Sequence, residues 1–240
     1  MSAYVSLRPR ANASNLERFE STRMRIAGLL RAVGLMVVLT AAPLLAGTVA
    51  YDGSQSRRMA VIDQQAPRLS WATSGRLGAA YNTTGLFLIP GRGFLFHFDV
   101  DDLPPGQRIV RADLILPLSA ISGPDPRFFL WRMIAEWGVG VSWDERLQRP
   151  AKQPWAVPGG RAPGLDRALN PSAVVRETQA GPVTVNVTED VALWYAKASP
   201  NQGWMLSVED PGIWCAFRAP FWDAPALWTL QITYEPEVGQ

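Results

Sequence analysis

Gly93-Phe94-Leu95-Phe96-His97-Phe98-Asp99 is the stretch that decides the fold class. Successive side chains of an extended backbone point to opposite sides, so Phe94, Phe96 and Phe98 share one face and Leu95 and His97 take the other. A helix would scatter the three rings around its circumference. The same period returns near the C-terminus, where Trp228, Leu230, Ile232 and Tyr234 alternate with Thr229, Gln231 and Thr233. Further strands are predicted over 86–89, 109–116, 128–133, 183–187, 204–208 and 213–218, each apolar, rich in β-branched or aromatic residues and bounded by turn residues. Asp102-Leu103-Pro104-Pro105-Gly106 and Glu209-Asp210-Pro211-Gly212 are the clearest of those turns. One helix is predicted over 188–198, with Thr188 as N-cap, Glu189 and Asp190 at the positive end of the dipole, and Val191, Trp194 and Tyr195 on one face. The Pro-, Gly- and Arg-rich stretch 152–182 reads as a long surface excursion. Many short antiparallel strands with a single short helix predict an all-β fold, an antiparallel β-sandwich with jelly-roll topology.

Upstream, residues 32–49 carry no charge, and with 26–31 the run is long enough to cross a bilayer of roughly 30 Å. Ala32, Leu35, Val37, Val38, Leu39, Leu44 and Leu45 supply its apolar surface. All six arginines that precede Tyr51 (Arg8, Arg10, Arg18, Arg23, Arg25 and Arg31) lie N-terminal to the uncharged run, so the positive-inside rule puts the C-terminal domain outside the cytoplasm. An uncleaved anchor is the first reading: a basic cytoplasmic tail over 1–23, a membrane-spanning segment over 24–50, a linker over 51–76 and the sandwich over 77–236. The alternative is a signal peptide starting at Met24 and cut near Thr48-Val49-Ala50, which would release a secreted domain.

The net charge of +2 belongs to the tail. From Tyr51 onward the chain holds 17 of the 23 basic and 19 of the 21 acidic residues, so the domain has no electrostatic footprint for nucleic acid. Cys215 is the only cysteine, which excludes an intrachain disulfide and a cysteine-based zinc site. Within Ile213-Trp214-Cys215-Ala216-Phe217 it reads as a buried, inert thiol. His97 is the only histidine and stands as a hydrogen-bonded or solvated strand residue rather than a base. Glu136, Asp144 and Glu145 are the carboxylates that composition offers for glycoside hydrolysis, with nothing else behind them. Asp99, Asp101 and Asp102 could hold calcium, but their run enters a turn, where aspartate serves the backbone. No catalytic constellation emerges, and no cofactor is expected.

The tryptophans carry the remaining information. Trp137, Trp143, Trp155 and Trp222 fall in predicted loops or at loop edges. Each either caps an open end of the sandwich core or presents a face to a sugar or protein partner. Pro220-Phe221-Trp222-Asp223 makes the best case for partner contact.

The order of motifs resembles the DNRLRE-type, or disaggregatase-related, β-sandwich modules, a group related to carbohydrate-binding modules. The similarity runs through Phe94 to Asp99, the Leu103-Pro104-Pro105-Gly106 turn and Ile109 to Leu114; through Trp137 with Val141-Ser142-Trp143 and Arg149-Pro150; and through Trp155-Ala156-Val157-Pro158-Gly159-Gly160. It continues through Val185-Asn186-Val187-Thr188 to Trp194, Asn201-Gln202-Gly203-Trp204, and Pro225 to Tyr234. It covers roughly 86–234. The resemblance implies a non-catalytic module on an exported bacterial protein, some relatives binding polysaccharide. This chain departs from the pattern at Val139, Arg161 and Asn186, where family members often carry acidic residues, so a transferred calcium or sugar site is weakened. Two functions of different class emerge. The first is a structural subunit tethered in the bacterial inner membrane, with its domain in the periplasm docked on a larger membrane protein assembly. The second is a carbohydrate-binding module that recognises envelope or environmental polysaccharide through exposed tryptophan.

Overall fold

The computed structural model describes residues 46–56, 58–72, 86–138, 140–218 and 228–237. The tail over 1–23, the anchor residues Ala32, Leu35, Val37, Val38, Leu39, Leu44 and Leu45, and the contact candidates Phe221 and Trp222 lie outside the described residues. In chain order the elements are β1 (Gly47–Asp52), a short 3-10 turn (Gly53–Gln55), β2 (Arg58–Asp63), β3 (Trp71–Ala72), β4 (Leu86–Leu88), β5 (Arg92–His97), β6 (Gln107–Ser122) and β7 (Arg127–Arg132). They continue with β8 (Glu145–Leu147), β9 (Gln153–Pro154), β10 (Ala173–Arg176), β11 (Gly181–Asn186), the helix α1 (Thr188–Tyr195), β12 (Trp204–Ser207), β13 (Trp214–Phe217) and β14 (Thr229–Pro236).

All pairings between these strands are antiparallel. One sheet runs β10-β7-β12-β5-β2-β3. The other is built on the long strand β6. Leu118 pairs with Phe217 of β13 and with Gly181 of β11, and Ile115 pairs with Thr229 of β14 and with Thr184 of β11. A strand has two edges, so β11 occupies one edge of β6 while β13 and β14 lie end to end along the other. Beyond them β4 pairs with β13 and β1 with β14. The sheet therefore has a seam where β13 stops and β14 starts, and Trp228 Nε1 donates to the Arg218 carbonyl across it.

The two sheets face each other in a β-sandwich and bury one large core. Phe94, Phe96, Phe98, Leu130 and Leu206 meet Leu114, Leu116, Phe217, Trp228, Leu230 and Ile232 there. Trp228 is ringed by Phe94, Phe96 and Phe217 at centroid distances of 5.3, 5.6 and 5.8 Å. Burying each such side chain contributes roughly 1.5–3 kcal/mol. The helix closes one end: Trp194 packs on Trp204 with centroids 4.5 Å apart. Asp190 of α1 accepts from Trp204 Nε1 at 2.7 Å and Ser172 Oγ at 2.5 Å, and pairs with Arg132 at 3.0 Å.

The structure departs from the sequence pattern in two places. Residues at 47–52 and 58–63, assigned to the end of the anchor and to the linker, are β1 and β2. In β2 five consecutive residues, Met59 to Asp63, are buried, because this strand sits between the sandwich core and a second apolar layer. A strand buried on both faces has no period of two to find. The second departure is that layer itself. Ala60, Ile62, Leu95, Trp131, Met133 and Met205 project from the outer face of the sheet containing β5, and Trp137, Val141, Trp143 and Trp155 cover them. The stretch predicted as a surface excursion, 152–182, is largely exposed or half-buried, but it is anchored at its middle, where Trp155, Gly159, Gly160, Ala162, Asp166 and Arg167 are buried.

Candidate functional site

Of the tryptophans singled out for partner or glycan contact, Trp137, Trp143 and Trp155 are 1 %, 8 % and 4 % exposed. Stacking on a sugar ring requires an open face, so these three are corrected to core residues. Their polar edges turn inward: Trp137 Nε1 donates to the Gln202 carbonyl at 2.7 Å and Trp155 Nε1 to the Ser142 carbonyl at 2.9 Å. Among the tryptophans whose exposure is described, Trp214 alone reaches half-buried, against Phe87 with centroids 5.2 Å apart.

What these tryptophans support is a platform on the loop between β9 and β10. Its organiser is Asp166, which is 2 % exposed. One carboxylate oxygen accepts from Ala156 N–H at 2.9 Å, and the other from Val157 N–H at 3.0 Å and Ala162 N–H at 3.1 Å. The Asp166 carbonyl accepts from Ile134 and Ala135 N–H, tying the loop to the end of β7. The Trp155-x-x-Pro158-Gly159-Gly160 motif has a steric reason here. Gly159 has φ +83, and a Cβ on it would stand 2.6 Å from the Trp143 ring. Arg167 completes the frame, with its guanidinium 3.5 Å over the Trp131 ring and paired with Glu209 at 2.7 Å.

From this frame Val157, Leu165 and Leu169 point to solvent, 45 %, 66 % and 73 % exposed. Leu165 and Leu169 are the two most exposed large hydrophobic residues described. Leu69 lies in the 64–70 turn, which is joined to the platform's base where Asp144 N–H donates to the Pro67 carbonyl at 3.0 Å. Sequence reasoning singled out the Trp155 motif but not Asp166, Leu165 or Leu169. No local pattern distinguishes an aspartate that bonds ten residues upstream from one in a solvated turn.

The acidic turn after β5 is committed to structure. Asp102 accepts from Tyr51 Oη at 2.5 Å, Asp101 pairs with Lys197, and Asp99 accepts from the Asp101 N–H at 3.1 Å. Tyr51 is held well above the usual phenol range by burial and by Asp102, and the Lys197 ammonium lowers Asp101. Among the described residues no three His, Cys, Asp or Glu side chains converge on a point where a cation would sit.

His97, expected as a hydrogen-bonded or solvated strand residue on the side opposite the phenylalanines, is 9 % exposed. Burial, then the nearby Arg58 guanidinium, push its pKa down to about 4. It is a neutral imidazole hydrogen-bonded to the Asn201 backbone, and Ser56 Oγ donates to its carbonyl at 2.7 Å. Cys215 is fully buried in the core, and desolvation raises its thiol far above the ordinary value. A neutral buried imidazole and a protonated thiol, with no hydrogen bond between them, give no activated nucleophile. Among the described residues no helix is long and apolar enough to cross a membrane. No family model matches the chain, and no curated protein matches it significantly.

Proposed function

We propose that this chain is a non-catalytic, membrane-tethered interaction subunit whose sandwich domain, of jelly-roll type, docks on a larger membrane protein assembly outside the cytoplasm. The observation that carries the reading is the apolar-tipped platform. Leu165 and Leu169 are held at 66 % and 73 % exposure by a loop whose backbone is pinned through Asp166. Exposed leucines on a rigid frame lose little entropy when a partner covers them, whereas scattered apolar residues on a flexible loop would. The tether belongs to the same reading and rests on the apolar run and the six arginines before it. The motif order shared with DNRLRE-type modules supports a non-catalytic role. Their glycan-binding use draws no support from Trp137, Trp143 or Trp155, whose faces are covered.

The test is a gentle detergent extraction of native membranes, followed by sizing of the complex and intact-mass measurement. The reading expects an uncleaved chain in a stoichiometric assembly, and an L165D/L169D double variant that stays folded but elutes free. A wild-type chain that elutes as a free monomer and binds a polysaccharide panel would replace it with the glycan-binding function.

A further inference from the structure

Beside the platform, a notch of about 10 Å³ opens between the loop and the paired ends of β5 and β12, where Gly93 and Ser207 face each other. Arg92 and Gly93 line it from β5, Ser207 and Glu209 from the end of β12, and Arg161 and Arg167 from the loop. Two of its guanidiniums are committed: Arg92 pairs with Asp63 at 2.5 Å and Arg167 with Glu209 at 2.7 Å. Arg161 is different. It is half-buried, and among the described residues its side chain has no hydrogen-bond or ion-pair partner. The loop's own acid, Asp166, has its oxygens taken by the amides of Ala156, Val157 and Ala162. Arg167 adds a second unused donor, since its Nε is buried without an acceptor in a residue only 6 % exposed. Stacking on Trp131 occupies the face of that guanidinium and leaves the in-plane N–H unsatisfied, which is costly for a buried group.

The space admits one water-sized group, so a phosphate, a sulfate or a sugar ring is too large and a single carboxylate oxygen fits. Carboxylate is also the anion whose geometry a guanidinium fork matches. Arg161 N–H donates to the Val157 carbonyl at 3.3 Å, and Leu165 N–H donates to the Ala162 carbonyl at 3.3 Å. The unpaired guanidinium therefore stands within one turn of chain from two exposed apolar tips, Val157 and Leu165. Resting on the docking reading above, we infer that the partner protein presents an aspartate or glutamate flanked by apolar side chains. Its carboxylate enters the notch and pairs with Arg161 while its apolar neighbours cover Val157 and Leu165. The charge gives direction to a contact that leucines alone would leave non-directional, because one orientation satisfies both. An arginine that a partner shields from water beside apolar contacts is the residue type that dominates interface energies.

The experiment uses the full chain in native membranes, extracted gently and sized, with Arg161→Glu, Arg161→Ala and Arg161→Lys set against the parent. The inference expects Arg161→Glu to lower the assembled fraction about tenfold or more, and Arg161→Ala to lower it less, in protein that keeps the parent's denaturation midpoint. Arg161→Lys keeps the charge and supplies an amine. Zero-length carbodiimide coupling should then join that amine to an aspartate or glutamate of a partner, identified by mass spectrometry. If Arg161→Glu fails to fold, the coupling result decides alone. An Arg161→Glu chain that stays assembled like the parent would overturn the inference and leave docking through Leu165 and Leu169 standing. Coupling that reaches only Glu209 of the same chain, or no carboxylate at all, would do the same and leave the notch to a small anion. A parent chain that elutes free would overturn the docking reading and this inference together.

Discussion

Replacing Asp166 tests whether one buried carboxylate holds the docking platform. In Asp166→Asn the remaining oxygen can keep the Val157 and Ala162 amides, but the new NH2 faces the Ala156 N–H, donor against donor. One charge-assisted bond is lost and two become neutral, which costs about 2–3 kcal/mol. Asp166→Ala abandons all three donors in a site only 2 % exposed, and the expected cost is about 4 kcal/mol or more. The assay is guanidinium unfolding of the full chain in detergent, followed by tryptophan fluorescence. Hydrogen exchange at the amides of Ala156, Val157 and Ala162 separates local loosening from global loss. Exchange there should accelerate in both variants, more in Asp166→Ala. The reasoning is refuted if both variants stay within about 0.5 kcal/mol of the parent, or if those three amides exchange no faster.

Gly159→Ala should cost about 3 kcal/mol or more in the same unfolding assay, since it adds left-handed backbone strain to a collision with the Trp143 ring. The native His97 imidazole stays neutral down to about pH 4 while the unfolded one takes a proton near 6.5, so as pH falls through that window the unfolded state binds more protons. Stability should therefore drop by roughly 3 kcal/mol between pH 6.5 and 4, and His97→Gln should remove that part of the slope. Because the chain has one histidine, its lone imidazole NMR signal reads the native pKa directly. A chain truncated to start at Tyr51 should unfold about 1–3 kcal/mol more easily than one starting at Gly47, because the outer edge of β14 loses its partner over 231–234; equal denaturation midpoints would contradict this.

The sequence pattern made the sandwich legible where one face of a strand is apolar and the other is not. The phenylalanines of β5 and the alternation of β14 point into the core as expected. A helix forms where one was predicted, but it runs over 188–195 rather than 188–198. Thr188 is its first helical residue and not its cap: Val187 stands at the N-cap with no side-chain capping bond, and the Thr188 hydroxyl accepts from the Ala112 N–H instead. Legibility failed where that contrast vanished. β2 is buried on both sides, and β10, with its half-exposed valines, carries too little apolar weight to stand out. For Trp143 and Trp155 the sequence offered a core-capping role and a contact role side by side; the buried one holds, and the choice between them was not legible because the layer they join is assembled from residues far along the chain. The platform was invisible for a related reason. Leu165 and Leu169 become a surface feature only once Asp166 has folded the loop back on itself. Of the two environments the sequence left open for His97, the buried one holds, and alternation within β5 alone does not report it.

The seam in the β6-centred sheet bears on how such a domain can change over evolutionary time. Arg218 N–H donates to the Pro117 carbonyl, and the Arg218 carbonyl accepts from Trp228, so both banks of the seam are fixed on β6 independently of what joins them. The register of β13 and β14 is set by their pairing with β6, and the loop-closure cost of lengthening a connection rises only slowly, about 0.6 kcal/mol per doubling. The seam is therefore the place to attempt a graft: a segment inserted there is expected to leave both strands paired with β6.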